Sequence, residues 1–416
     1  MDTPHCIVIG AGTVGSCCAW HLVRSGCRVT LVDREQPGQA TSYGNAACIS
    51  PNHVVPYSYP GVWKKLPKWL LNPLGPMTVR WRHLLSVGPW LWKFWRQGTA
   101  QEVRRSTEAQ VQLMRHVTED FGDLLARAGL TGYLRSRGLI LVYDRHEDFL
   151  ADKWEFDLEE EYGFEWDYLG PAELRIMVPA LDLKQGLALY VPSWQHLTDP
   201  GGATAAIAAD SFAQGAEWVN EEVRQVGATA ERVTVRLSSG RVIEGDRLII
   251  AAGPWSNQLS RQLDGTVPMT AKRGYHSMIG DPGIELDYPV LSGSRVFVIT
   301  PLSAGIRLAG TAEFARLDSP PDYRRARILQ EHARHYLPDL QLREVTEWMG
   351  QRPMMVDSVP VISVSPGHAN VFYAFGHGHY GLTQGPTTGR LVARMVRGED
   401  PGIDMNPYRF DRFQRR

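Results

Sequence analysis

One run near the start of the chain restricts the fold more than any other: Gly10-Ala-Gly-Thr-Val-Gly15. It follows the apolar stretch His5-Cys-Ile-Val-Ile9, which reads as a short strand buried on both faces. Residues 14–25 then predict a helix ended by Gly26, and Arg28-Val-Thr-Leu-Val32 predicts a second strand. Strand, glycine turn, helix and parallel strand in that order open a Rossmann-type α/β sheet. The three glycines do different things. Gly10 makes the tight turn, Gly12 lets a diphosphate approach the backbone, and Gly15 lets the helix close on the strand. The free N–H groups at the helix start, around Thr13 and Val14, suit a pyrophosphate. Asp33, ending the second strand beside Arg34, suits the hydroxyls of an adenosine ribose, and its charge repels a 2′-phosphate. A dinucleotide other than NADP is therefore expected.

Composition narrows the partners. Basic and acidic residues number 44 and 45 in 416, which excludes the strongly basic surface of a nucleic-acid binder. The five cysteines all fall within the first 48 residues without a C-x-x-C pair, so neither a disulfide framework nor a metal site is expected. Reduced thiols point to a cytoplasmic setting. No apolar run approaches the roughly 20 residues that span a bilayer, and no basic leader precedes the first strand. One bias stands out: between Glu35 and Glu102 there is no acidic residue, while six of the thirteen tryptophans are interleaved with lysine and arginine. That mixture marks residues 59–98 as a candidate peripheral contact with the inner face of a membrane. A Trp-rich cap, or a subunit contact in a homo- or hetero-oligomer, is the alternative that accounts for it without a membrane.

Further along, helices are expected at 101–130, 203–215 and 320–336, and a strand or hairpin at 133–143. Short strands at 223–226, 233–237 and 242–243 precede a buried one at 247–251, and 270–312 holds several more. Near the end, a strand at 371–375 leads through Gly376-His-Gly-His-Tyr-Gly381 into a helix reaching about 396. Two distant glycine turns, each presenting backbone N–H groups, suit a cofactor held extended, which favours FAD over NAD.

With those motifs in place, the chain resembles the FAD-dependent D-amino acid oxidase superfamily, and within it the bacterial D-amino acid dehydrogenases, including those acting on D-hydroxyproline. The resemblance runs nearly end to end. Besides the first fingerprint it rests on Thr41-Ser-Tyr-Gly-Asn-Ala-Ala47, Ala251-Ala-Gly-Pro-Trp-Ser256, Gly350-Gln-Arg-Pro-Met-Met-Val-Asp357 and Gly376-His-Gly-His-Tyr-Gly-Leu-Thr-Gln-Gly385. It implies an FAD-binding domain from residues 1–58, 190–268 and 345–416. It implies a second, mainly antiparallel α+β substrate domain from 59–189 and 269–344.

The implied activity is oxidative deamination of a small amino acid, by hydride transfer from Cα to flavin N5, with electrons passed to a quinone or another acceptor. A glycine- or sarcosine-type oxidase using oxygen, and a non-catalytic FAD-binding subunit of a larger complex, are the rival readings. By resemblance, Thr41, Ser42, Asn45, Ala46 and Ala47 lie beside the pyrophosphate and isoalloxazine. Val223 serves the adenine side, and Ala252, Gly253 and Trp255 approach the cofactor from a strand end. Gly378, His379, Tyr380, Gly381, Leu382 and Thr383 come close to the flavin. Arg352 is expected to hold the substrate carboxylate through its planar fork. Tyr275 is expected to add a second hydrogen bond, with His53 and His377 facing the pocket.

Overall fold

The fully buried strand His5–Ile9 lies inside a six-stranded sheet. We describe the protein from a computed structural model covering residues 3–61, 75, 77–80 and 83–414. The strand order is Glu217–Asn220, Arg28–Asp33, His5–Ile9, Arg247–Ile250, Val371–Phe375 and Val361–Val364. The first five run parallel and the last is antiparallel. Helices Thr13–Arg24 and Gly381–Val396 cover one face, where Val8, Leu22, Ile249, Phe372 and Leu391 share a core. The helices approach closely because Gly389 carries no side chain: a β-carbon there would stand 2.6 Å from the Cys17 carbonyl. Gly26, at φ +85°, ends the first helix as expected; its N–H donates to Val23 O, and Cys27 N–H donates to Leu22 O.

The second sheet has nine strands and is mainly antiparallel. Its seam with the first half is built by two long strands, Met269–Asp281 and Arg343–Met355, paired antiparallel along almost their whole length. The expected boundary at 345 falls inside the second of these. One face of the seam packs on helix Arg324–Tyr336 through Ile279, Leu329 and Ala333. Successive side chains of a strand alternate faces, so every second residue of the seam looks the other way, toward the parallel sheet. The predicted segment 133–143 divides between two sheets, Leu134–Arg135 in a small three-stranded one and Leu139–Tyr143 in the large one. Sequence reasoning missed helix His146–Glu161, whose charged pattern shows little amphipathic contrast.

Of the Trp-rich segment, residues 62–74, 76, 81 and 82 lie outside the described set, and with them Trp63, Trp69 and Trp81. Helix Leu84–Arg96 buries Val87 and Trp90, whose indole N–H donates to Pro268 O at 3.1 Å, while Leu85, Trp92 and Trp95 stay exposed. Trp90 thus anchors the helix to the protein, while Trp92 and Trp95 face outward beside Lys93 and Arg96. Among the described residues no helix is long and apolar enough to cross a membrane. The five cysteines are free, and all but half-buried Cys48 are buried.

Candidate active site

The ends of the parallel strands and the inward face of the seam enclose a groove of about 450 Å³. At its floor Gly10 turns the chain at φ +109°, where a β-carbon would stand 2.4 Å from Ala251 O. Gly15 does not line the groove; it sits behind the turn, where a β-carbon would overlap Gly10 O at 1.7 Å. Gly12, Thr13 and Val14 face the opening at the start of helix Thr13–Arg24. That helix has no acidic residue in its first turn and a glycine at its N-cap; Ser42 Oγ takes the Thr13 N–H, and the positive end still faces the groove.

Asp33 lines the same end. Its carboxylate accepts from Ala11 N at 2.6 Å and Glu35 N at 3.0 Å, and burial raises its pKa against those hydrogen bonds. Arg34 lies 4.6 Å from the centre of the Trp255 ring, and Val223, Ala252 and Gly253 complete this end.

The 41–47 loop crosses the middle of the groove and is tied down from outside. Ser42 Oγ accepts from Thr13 N at 2.9 Å, and Thr41 Oγ1 donates to Gln351 O at 2.9 Å. Backbone oxygens of the loop are claimed by buried groups of the large sheet: Arg307 donates to Tyr43 O and Asn45 O, Thr300 to Ala46 O, and His276 Nδ1 stands 3.0 Å from Gly44 O. Thr41, Ser42 and Asn45 line the groove. Ala46 and Ala47 do not; Ala47 is fully buried at φ +60°, held by its N–H donating to Asn45 Oδ1.

At the other end stands Arg352. A β-carbon on Gly274, across the strand pair, would lie 2.1 Å from its Nη1, so the guanidinium rests over that glycine. No carboxylate pairs with it among the described residues; burial lowers its pKa, and the nearby Tyr57 opposes that. The loop before helix Gly381–Val396 closes this end with Gly378, His379, Gly381 and Leu382. Gly378 sits at φ +56° and its N–H donates to Pro353 O. The His379 ring lies 4.6 Å from the Tyr57 ring, and its buried Nδ1 has no hydrogen-bond partner among the described residues. Burial and the charges of Lys272 and Arg352 keep His379 neutral.

Five expected residues are held differently than the resemblance implies. Tyr275 is on the wrong face: its hydroxyl donates to Glu313 at 2.7 Å and accepts from Asp322 N, behind the seam. His377 lines the groove as expected, but its Nε2 is engaged with Thr388 Oγ1 at 2.9 Å. His53 is set back between the rings of Trp194 and Tyr380. Tyr380 and Thr383 stand behind the loop, Tyr380 stacked on Tyr57 and Thr383 Oγ1 accepting from Ser50 N. Sequence reasoning missed Gly274 and Trp348, which line the groove, and Tyr57 and Lys272, which pack on one another beside it. The alternation around Gly274 was the available signal: a seam that turns Gly274 inward also turns Lys272 and His276 inward and Tyr275 outward.

A groove with a helix N-terminus and Asp33 at one end, a tied-down polar loop across its middle and, at the far end, a guanidinium with no carboxylate partner among the described residues fits a dinucleotide held extended. That defines a dinucleotide-dependent oxidoreductase. Residues 5–395 match the family described as FAD dependent oxidoreductase, DAO. A D-amino-acid oxidase of Bradyrhizobium diazoefficiens is 33% identical over 98% of this chain and 99% of its own. A D-amino acid dehydrogenase of Paramagnetospirillum magneticum is 31% identical over 98% of each. Glycine oxidase from Geobacillus kaustophilus shares the fold, with a TM-score of 0.75 at 20% identity over 99% of each chain. The chain belongs to the FAD dependent oxidoreductase family, and FAD is its cofactor.

Proposed function

We infer that this protein oxidises the Cα–H bond of a small D-amino acid and passes the electrons to a quinone or another acceptor. One observation carries the reading: Arg352, inward-facing over Gly274 with no carboxylate partner among the described residues. A buried cation without a partner is costly, and a carboxylate ligand removes that cost through two charge-assisted hydrogen bonds. The relatives named above as acting on D-amino acids support the substrate class.

FAD, when bound, supplies the two-electron acceptor. The chain's part is placement and exclusion of water. Arg352 fixes the carboxylate and so the direction of the Cα–H bond, and placement to within a reacting distance of about 3–3.5 Å is what the reaction needs. Trp348 and Leu382 line the groove beside it and shed water. His379, neutral and unpartnered at Nδ1, accepts a hydrogen bond from the substrate amine or donates one to the cofactor. Thr13, Val14, Asp33 and Ser42 are proposed to hold the pyrophosphate and ribose.

Anaerobic mixing of the yellow holoenzyme with D- and L-amino acids, hydroxyprolines included, tests the reading. Bleaching by D-amino acids supports it, and no bleaching by any amino acid overturns it. Stopped-flow reoxidation decides the acceptor: rapid reaction with oxygen would make this an oxidase.

A further inference from the structure

Arg352 is not the lone cation on the inward face of the seam. Lys272 stands directly opposite it in the register of the two seam strands, which sets their β-carbons about 5 Å apart on one face. Lys272 is only 8% exposed. Its ammonium rests 4.7 Å from the centre of the Tyr57 ring, the same ring that His379 meets. An aromatic face replaces only part of the hydration an ammonium loses on burial.

Among the described residues no carboxylate forms an ion pair with Lys272 or Arg352; within this set Glu155 is felt only at Tyr57, and burial and the Arg352 charge pull the Lys272 pKa down to about 7. The stretch between Glu35 and Glu102, which holds most of the residues outside the described set, has no acidic residue to contribute. Glu159, the buried acid of helix His146–Glu161, is committed to the Asn52 amide at 2.7 Å and kept protonated by burial.

Like charges directly opposite across a strand pair destabilise a sheet. A ligand that brings negative charge to both removes the conflict. One α-carboxylate fills the planar fork of Arg352. Lys272, a point charge on a flexible four-carbon stem, is then left over. We propose that Lys272 is a second anion anchor, and that the preferred substrate is an acidic amino acid whose side-chain carboxylate it receives. The proposal rests on the reading of Arg352 as the α-carboxylate anchor and makes Lys272 the residue that sets specificity.

The test compares the holoenzyme on D-aspartate and D-glutamate with their isosteric amides, D-asparagine and D-glutamine. The acids are expected to show about ten-fold or greater advantage in kcat/KM, falling to about one in Lys272→Met whatever rate survives. A second measurement does not need turnover: perturbation of the flavin spectrum titrated with succinate and with butyrate. Succinate is expected to bind about ten-fold tighter or better, and to lose that margin in Lys272→Met. Equal handling of acid and amide, or a preference that Lys272→Met leaves intact, overturns the proposal. If neutral amino acids bleach the flavin and acids hold no advantage, this inference fails and the proposed function stands. If no amino acid bleaches it while succinate keeps a Lys272-dependent margin, the proposed function fails and the anion anchor stands.

Discussion

Gly274 lies directly beneath the Arg352 guanidinium, where a β-carbon would meet Nη1 at 2.1 Å and Cζ at 2.2 Å. The obstacle is the end of a flexible side chain, so the sheet can accept alanine while the guanidinium moves. A displacement of about 1 Å in a positioning group costs on the order of 100-fold in rate. Gly274→Ala is therefore expected to keep its FAD and its melting temperature and to lose about that much in kcat/KM. Steady-state kinetics beside flavin absorbance checks it, and unimpaired kcat/KM would remove Arg352 from the site.

Truncation of the anchor itself should be more severe. Arg352→Ala is expected to cost about 2–5 kcal/mol in transition-state binding, the scale of losing one partner of a buried charged pair. Arg352→Lys keeps the charge but not the planar fork, and is expected to recover only part of the loss. Both variants should retain FAD, since Arg352 stands at the end of the groove away from Asp33 and helix Thr13–Arg24.

Tyr275 supplies the contrast. Its hydroxyl is bound to Glu313 and Asp322 on the far face of the seam. Removing it leaves buried Glu313 short of a donor, a loss of about 1–3 kcal/mol. Tyr275→Phe should lower the denaturation midpoint and leave KM for the amino acid where it was. A change in KM without a change in stability would return Tyr275 to the pocket.

These two neighbours show where the sequence could be read and where it could not. The parallel half was legible because most of its turn chemistry is local: Gly15 and Asp33 are fixed by Gly10 and Ala11 within one βαβ unit, and the Ala251 contact of Gly10 comes from outside it. Arg352 was legible through its segment. Tyr275 was misread because a strand's parity depends on which residue faces the partner layer, and one step of error exchanges the two faces. Lys272 was hidden for the same reason. The loop from Thr41 to Ala47 was recognised by resemblance, but the buried Arg307, His276 and Thr300 that hold it come from distant strands, and no local pattern announces them. His377 lines the groove, but a glycine loop does not show where a ring nitrogen finds its partner.

At the opposite end of the groove, Asp33→Asn removes the charge and preserves the shape of a residue whose two oxygens receive backbone N–H groups. It is expected to loosen FAD without unfolding the sheet. The flavin-to-protein absorbance ratio after gel filtration measures this, and full retention would count against the role of Asp33 at the ribose.

Buried histidines set how the protein tolerates acid. Burial pulls His53 down to about 4, and His276 and His377 to about 3, with the Arg307 charge adding to the effect at His276. In the unfolded chain each titrates near about 6.5. Between those values the unfolded state binds protons that the folded state does not, so stability rises with pH across the window and levels off above it. Each histidine contributes up to about 1.4 kcal/mol per pH unit within its window. Unfolded carboxylates titrate below about pH 4.5; Glu159, which burial keeps protonated in the folded state, opposes the histidine slope above that, so the share of the histidines is read from a variant. The melting temperature of the holoenzyme is expected to fall steadily from pH 6.5 to 5, and to fall less in His276→Gln, which cannot charge but can still donate to Gly44 O. A flat profile over that range, or an identical one in the variant, would mean that these rings are not the acid-sensitive part of the fold.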